Sequence, residues 1–332
     1  MSNSGKIAIV GAGSWGTAVA NVFADAGAQV MLWGRDPAIV ESVNAHHENA
    51  KYAKGFRLSS SIKATADLAT ALEFGEVIVN AVPTQSLRAV FTPHVSLLRG
   101  KILVNTSKGI ELGSHCCVSE IFAALSPDIR YVMLSGPSFA QEVLKRLPTA
   151  VTVASKDGTS AAAVQRLLSA PYFRAYTSRD VAGVELAGAL KNVIAIASGI
   201  VTGLQLGYNA QAALINRGIA EIMRMGTKRG AEPLTYLGLA GMGDLLLTCT
   251  GPLSRNRQVG IKLGEGQKLA AIQRDLGGVA EGVFTARSAY ELAKQYGVDM
   301  PITEQVYKIL YEGSTPQKAL TELMSRDLKE EW

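Results

Sequence analysis

Three glycines, Gly11, Gly13 and Gly16, constrain this chain more than any other feature. They follow the apolar run Ile7-Ala8-Ile9-Val10 and precede an Ala-rich segment with Val19, Val22 and Phe23 on one face. Each glycine answers a separate steric demand: a tight turn after a strand, close backbone approach to a pyrophosphate, and helix-on-strand packing. The helix that follows, Gly16 to Ala26, would point its free N–H groups and positive dipole end at phosphates. A second apolar strand, Val30 to Trp33, completes a βαβ pattern. That context separates a dinucleotide cradle from an ordinary glycine-rich turn.

At 332 residues the chain exceeds what one core usually serves, so two domains are expected. With 48% hydrophobic and 18% charged residues it has the composition of an ordinary soluble globule. The net charge is +5, yet no basic run is longer than a pair such as Lys228-Arg229, which argues against nucleic acid and suits small anionic ligands. Cys116, Cys117 and Cys249 make no disulfide framework, and no CxxC or HxxxH spacing offers a metal site. Ser2 to Gly5 is polar and leads directly into the first strand, so no signal peptide is read and a cytoplasmic protein is expected. The uncharged stretch Asn192 to Asn216 turns polar at Gln205, Asn209 and Gln211, which favours a buried helix over a membrane span.

Further motifs fall at strand ends. In dinucleotide folds an acid after the second strand holds a ribose 2′-OH, whereas an Arg accommodates a 2′-phosphate, so Arg35 leans toward NADP(H), with NAD(H) left open by the adjacent Asp36. His46 and His47 read as a solvated helix face. The strand GEVIVNAVP places Val82 and Pro83 at a carboxyl edge, where ligands of open parallel sheets bind. KILVNTSKGIE puts Lys108 beyond the next strand, either as a site residue or as a surface lysine. RYVMLSGPSFA stops at Gly136, with Ser138 either capping a helix or touching substrate. TAVTVAS and YFRAYTS then finish the sheet around a short helix near Ala161 to Ser169.

Near Ser178 the hydrophobic period changes from two to helical, dividing the chain into a dinucleotide-binding domain, residues 1–178, and a helical domain, 179–332. Lys191 stands in the apolar middle of the first long helix; burial would lower its pKa toward a catalytic range, while snorkelling would leave it ordinary. Leu214, Gly218, Ile222 and Ile215, Ile219, Met223 form a core stripe. Asp244 and Thr248, one helical turn apart, suit an ammonium such as that of Lys191. Ser254, Arg255 and Asn256 place a hydroxyl, a guanidinium fork and an amide in consecutive positions, which fits phosphate, against the alternative of a capping serine beside solvated arginines. Gly277, Gly278 and Gly282 read as a flexible turn, and the last helix starts at Thr315 and Pro316.

Taken together and in this order, GAGSWGTA, KGIE, SGPSFA, ALKNVIAIASG and GMGDLLLTCT followed by SRNR resemble the soluble NAD(P)-dependent glycerol-3-phosphate dehydrogenases of the bacterial biosynthetic type. The resemblance covers nearly the whole chain. It implies an α/β Rossmann domain followed by an all-helical substrate domain, and reversible reduction of dihydroxyacetone phosphate to sn-glycerol 3-phosphate for phospholipid synthesis. By motif it implies Lys191 as proton donor and acceptor, with Lys108, Gly136, Ser138, Asp244, Ser254, Arg255 and Asn256 around the substrate. It further implies cofactor contacts from Ser14, Trp15, Arg35, Lys108, Ala140, Arg255, Val279 and Glu281, beside the glycines Gly11, Gly13 and Gly16. A homodimer is compatible with it, and no metal is implied. Rival readings are a related hydroxy-acid dehydrogenase, which would need a carboxylate grip, and an NAD(H)-sensing module, which would have no reason to bury Lys191 beside Asp244.

Overall fold

The computed structural model describes residues 5–275, 280–328 and 330–331. Eight strands form one sheet: β1 (Lys6–Val10), β2 (Gln29–Trp33), β3 (Ile62–Thr65), β4 (Val77–Asn80), β5 (Ile102–Asn105), β6 (Arg130–Ser135), β7 (Thr149–Ala154) and β8 (Phe173–Ser178). Their spatial order is β3-β2-β1-β4-β5-β6-β7-β8. The helices among them are α1 (Ser14–Asp25), α2 (Pro37–His46), α3 (Leu68–Phe74), α4 (Leu87–Phe91), α5 (Val118–Leu125), α6 (Ala140–Leu144) and α7 (Gly158–Leu167). Beyond the sheet come α8 (Val181–Gly203), α9 (Gly207–Lys228), α10 (Asp244–Thr250), α11 (Arg255–Gly264), α12 (Leu269–Asp275), α13 (Glu281–Tyr296), α14 (Pro301–Tyr311) and α15 (Pro316–Met324).

The order reverses between β1 and β4, so a crevice opens at the carboxyl edge where the cradle lies. Strands β1 to β6 are parallel and read as near-continuous Val, Ile and Leu because helices cover both faces. The edge strand β3 went unread in the sequence, since its four residues carry only Ile62 and Ala64 as inward alternation.

Strand β7 pairs antiparallel with β6, Ser135 opposite Thr152 and Met133 opposite Ala154. The chain between them carries only the five-residue α6, so it stays at the carboxyl edge and turns back. Strand β8 runs parallel to β7 and therefore leaves the sheet at the opposite edge. Helix α8 starts there and must run back along β6: Glu185 accepts from the Tyr131 hydroxyl at the start of that strand (2.5 Å), and Gly188 lies against Ser135 at its end. The next turn of α8, with Lys191, consequently emerges just past the carboxyl edge.

Asp180 caps α8 by accepting from Gly183 N (2.9 Å), and 94% of the helix's most apolar window is buried. That helix is long and apolar enough to cross a membrane by composition, but here it is the core of the helical half. Helix α11 packs on it through facing glycines. A Cβ on Gly199 would stand 2.1 Å from the Arg257 carbonyl, and one on Gly260 2.0 Å from the Ile196 carbonyl.

Inside a helix, Ala normally gains about 1 kcal/mol over Gly. Gly260→Ala should reverse that sign, because the backbone it meets cannot yield without separating the two helices, and overpacking costs about 1–3 kcal/mol. Thermal unfolding should show a lower Tm than the parent; an unchanged or raised Tm would mean that the helices do not meet so closely.

Candidate active site

In the turn after β1, two of the three glycines are held to glycine by the backbone around them. Gly11 takes φ +122°, and a Cβ there would lie 2.8 Å from the Ala81 carbonyl; one on Gly16 would lie 1.8 Å from Gly11 O. Gly13, by contrast, faces open space and caps α1 with no side-chain hydrogen bond. The first turn of α1 carries no acid, so its dipole end is free for an anion. Buried Asn49 braces this loop: its Nδ2 donates to Ala12 O (2.9 Å) and Thr17 Oγ1 (2.8 Å), while its Oδ1 accepts from Tyr52 N (3.1 Å). Sequence reasoning missed Asn49, because an Asn within HHENA carries no motif. Ser14 is exposed and donates to Tyr52 O (3.0 Å), and Trp15 packs half-buried against the sheet core.

Past β2, Asp36 is fully engaged. It caps α2 at Ala38 N (3.1 Å) and pairs with Lys51 (3.0 Å), whose ammonium holds its carboxyl below the ordinary value. Arg35 is exposed beside it, its guanidinium making no hydrogen bond among the described residues. His47 closes α2 in the left-handed region (φ 51°) instead of lying on its face.

From the cradle the edge continues through Ala81 and Val82 to Thr84, whose N–H donates to Glu281 Oε1 across to the helical half (3.2 Å). Burial pushes the Glu281 carboxyl up to about 7, against the Thr84 N–H and the Arg255 charge. Glu281 Oε2 and Thr84 Oγ1 are both buried without a partner, and both border Gly109. An orphaned acceptor and hydroxyl at the end of a glycine cradle fit a dinucleotide carrying an amide. Val279 lies outside the described residues, as do Gly277 and Gly278. Gly282 is no turn: it sits in the first turn of α13, where a Cβ would meet Asn192 O (2.7 Å) and Asn256 Oδ1 (2.8 Å). Its smallness serves close approach.

At the centre one carboxylate holds two ammoniums. Lys191 Nζ donates to Asp244 Oδ1 and Thr248 Oγ1, both at 2.7 Å, and Lys108 Nζ donates to Asp244 Oδ2 at 2.6 Å. Lys191 is buried and does not snorkel; burial lowers its pKa to about 8, with Asp244 opposing and Lys108 adding to the drop. Burial acts to raise the Asp244 carboxyl, yet the two lysines hold it below the ordinary value. The cluster carries one net positive charge, suited to an anion or to a developing oxyanion.

Around this cluster, Asn192 Nδ2 donates to Lys108 O (3.4 Å). The β6–α6 loop abuts both ends of α10, Pro137 against Gly243 and Phe139 against Gly251, which brings Gly136, Ser138 and Ala140 alongside. The Ser138 hydroxyl donates to Gly136 O (2.9 Å), and Phe139, not Ser138, is the N-cap of α6. Ser254 does cap α11, accepting from Arg257 N (3.2 Å), which leaves its hydroxyl proton available. Asn256 Oδ1 accepts from Gly282 N (3.0 Å), and Arg255 is exposed within electrostatic reach of Glu281. Among the described residues no group of three His, Cys, Asp or Glu is placed to hold a metal.

A mostly parallel sheet with a glycine-lined turn at its switch point, beside a buried lysine on a helical unit, is the arrangement of a dinucleotide-dependent dehydrogenase. Residues 6–161 match the family described as NAD-dependent glycerol-3-phosphate dehydrogenase N-terminus, and residues 180–321 match its C-terminus counterpart. The chain is 52% identical over 330 residues to glycerol-3-phosphate dehydrogenase [NAD(P)+] of Geobacter metallireducens, covering 98% of each. It is 49% identical to the enzyme of that name from Nitratidesulfovibrio vulgaris, covering 98% of this chain and 100% of the relative. The crystal structure of glycerol-3-phosphate dehydrogenase from Coxiella burnetii superposes with a TM-score of 0.93 at 39% identity, covering 98% of this chain and 100% of that one. The chain belongs to the NAD-dependent glycerol-3-phosphate dehydrogenase family.

Asp244→Asn should expose the dependence of the centre on its carboxylate. Breaking a buried ion pair costs about 3–5 kcal/mol, and without Asp244 the Lys191 pKa should fall further below its present value. Denaturant unfolding and lysine-selective NMR titration measure the two effects; a variant as stable as the parent, with an unmoved Lys191, would refute the shared-carboxylate account.

Proposed function

We propose that the chain reversibly reduces dihydroxyacetone phosphate to sn-glycerol 3-phosphate with NAD(P)H, supplying glycerophospholipid synthesis. The observation that carries this reading is the Lys191–Asp244–Lys108 cluster, buried where the carboxyl edge of a dinucleotide sheet meets the helical half. A nicotinamide cofactor, when held in the glycine turn, would supply the hydride chemistry at the substrate's C2. Lys191, held by Asp244 and Thr248, gives a proton to the C2 oxygen and takes it back in oxidation. Lys108 adds positive charge beside the same oxygen and stays tied to Asp244. Arg255, with Ser254 and Asn256, grips the phosphate, and the Gly136–Ser138 loop closes the substrate's other side. Gly11, Gly13, Gly16, Ser14, Trp15 and Ala140 hold the pyrophosphate end of the cofactor, with Glu281 and Lys108 near its reactive end. Arg35 takes a 2′-phosphate, since Asp36 is already occupied, so NADPH is favoured over NADH. We extend the reading to a division of the chain at residue 178, a cytoplasmic location and a homodimer; cell fractionation and mass in solution would decide the last two.

Purified protein should oxidise NADPH only when dihydroxyacetone phosphate is present. The reduction needs Lys191 protonated, so kcat/KM should fall as pH rises through about 8, and the reverse oxidation should rise over the same range. Lys191→Ala should lose about 10² to 10⁴ in kcat with dinucleotide binding largely intact. Turnover of a hydroxy acid but none of this phosphate would overturn the assignment.

The two anion grips separate by substrate. Arg35→Ala should weaken NADPH far more than NADH, because only the former offers a 2′-phosphate. Arg255→Ala should lose about 1.5–3 kcal/mol of binding to the phosphorylated substrate and be no worse on dihydroxyacetone, with Arg255→Lys recovering part of the loss. Equal losses for both members of either pair would remove the assigned grip.

A further inference from the structure

The last residues of β4 and β5 are asparagines, Asn80 and Asn105, neighbours in register and both wholly buried. Amides buried in an apolar edge are costly unless bonded, and these are bonded to each other and to the loops that leave the sheet. Asn80 Nδ2 donates to Asn105 Oδ1 (2.7 Å) and to Ser107 Oγ (2.9 Å). Asn105 in turn grips Ser107 at both backbone groups: its Oδ1 accepts from Ser107 N (3.1 Å), and its Nδ2 donates to Ser107 O (3.0 Å). The Ser107 hydroxyl donates to Val82 O (2.5 Å), which ties the β5 loop to the β4 loop beside the cradle.

The next residue is Lys108. Its stem passes Gly188 of α8, where a Cβ would stand 3.4 Å from Lys108 Cγ, and its ammonium ends on Asp244. We infer that Asn105, braced by Asn80, is a positioning residue that sets the Lys108 ammonium against Asp244 and thereby fixes how much of that carboxylate Lys191 can claim. The inference rests on the proposed function for its rate consequences, though its electrostatic part stands apart from it. The charged and titratable groups acting on Lys191 are Asp244 and Cys249 from α10 and Lys108 from the β5 loop. Lys108 both repels the Lys191 ammonium and occupies the far oxygen of its partner. If Lys108 drifts, both effects vanish and the Lys191 ammonium becomes harder to deprotonate.

The test is Asn105→Ala, alone and combined with Lys108→Ala, with Lys191 followed by lysine-selective NMR titration alongside kcat/KM. A displaced group at a reacting centre costs up to about 10²-fold, so Asn105→Ala should lose about tenfold or more in kcat/KM. Its Lys191 titration midpoint and the alkaline limb of the reduction should both move to higher pH. In the Lys108→Ala background the same substitution should cost less than about threefold, since residues acting through one group are not additive. Should Asn105→Ala fail to fold, Asn105→Ser keeps an acceptor for Ser107 N while losing the grip on Ser107 O, and should show the same shifts in smaller measure. Losses that multiply in the double variant, or a Lys191 midpoint that stays in place, would overturn the inference. A parent protein without turnover of dihydroxyacetone phosphate would instead count against the proposed function, and the NMR midpoint would still decide the role of Asn105.

Discussion

A single carboxylate, that of Asp244, gathers two ammonium groups from opposite halves of the chain. In sequence Lys108 lies in a strand-end loop and Lys191 in the middle of a helix; only α10, placed between them, brings them within reach of one acid. Without that acid the buried Lys191 ammonium would face a large desolvation cost, with the part-buried Lys108 charge still beside it. With it, burial leaves Lys191 at a pKa of about 8, with Asp244 raising that value and the neighbouring Lys108 charge lowering it. The arrangement also explains why the centre is net positive yet buried.

What brings the acid and the lysines together is the direction of β7. Because β7 runs back from the carboxyl edge, β8 leaves at the far edge and α8 has to travel the length of β6 before entering the helical half. Glu185 pins the start of that run, accepting from the Ser119 N–H (2.9 Å) and the Tyr131 hydroxyl. Glycines make the remaining contacts short: Gly188 toward Lys108, Gly199 toward α11, and Gly282 toward Asn192 and Asn256. Gly199, Gly260 and Gly282, none of which takes a positive φ, mark places where two backbones nearly touch.

Much of this was legible in the sequence, and the exceptions have physical causes. The cradle could be read because its glycines, strand and helix are adjacent, and Lys191 stood out because a charge inside an apolar helix is costly. Gly282 misled because glycine serves both turns and close contacts, and only the partner helix distinguishes them. Strand β3 was too short for its alternation to register, and the reversal at β7 depends on a pairing that no local pattern encodes. Asn49 and the Asn80–Asn105 pair stayed invisible because a polar residue at a strand end or in a loop is unremarkable until its burial is known. The Lys108–Asp244 pair spans 136 positions, a separation at which no spacing rule applies.

The continuous passage of α8 from sheet layer to reaction centre has a mechanical consequence. A hinge placed where the strands end would have to peel α8 from β6, breaking the buried bonds at Glu185 and parting the glycine contact at Gly188. The lysine on that helix is thus rigidly referenced to the strands that hold the cofactor cradle, as a tool is clamped to the bed of a lathe.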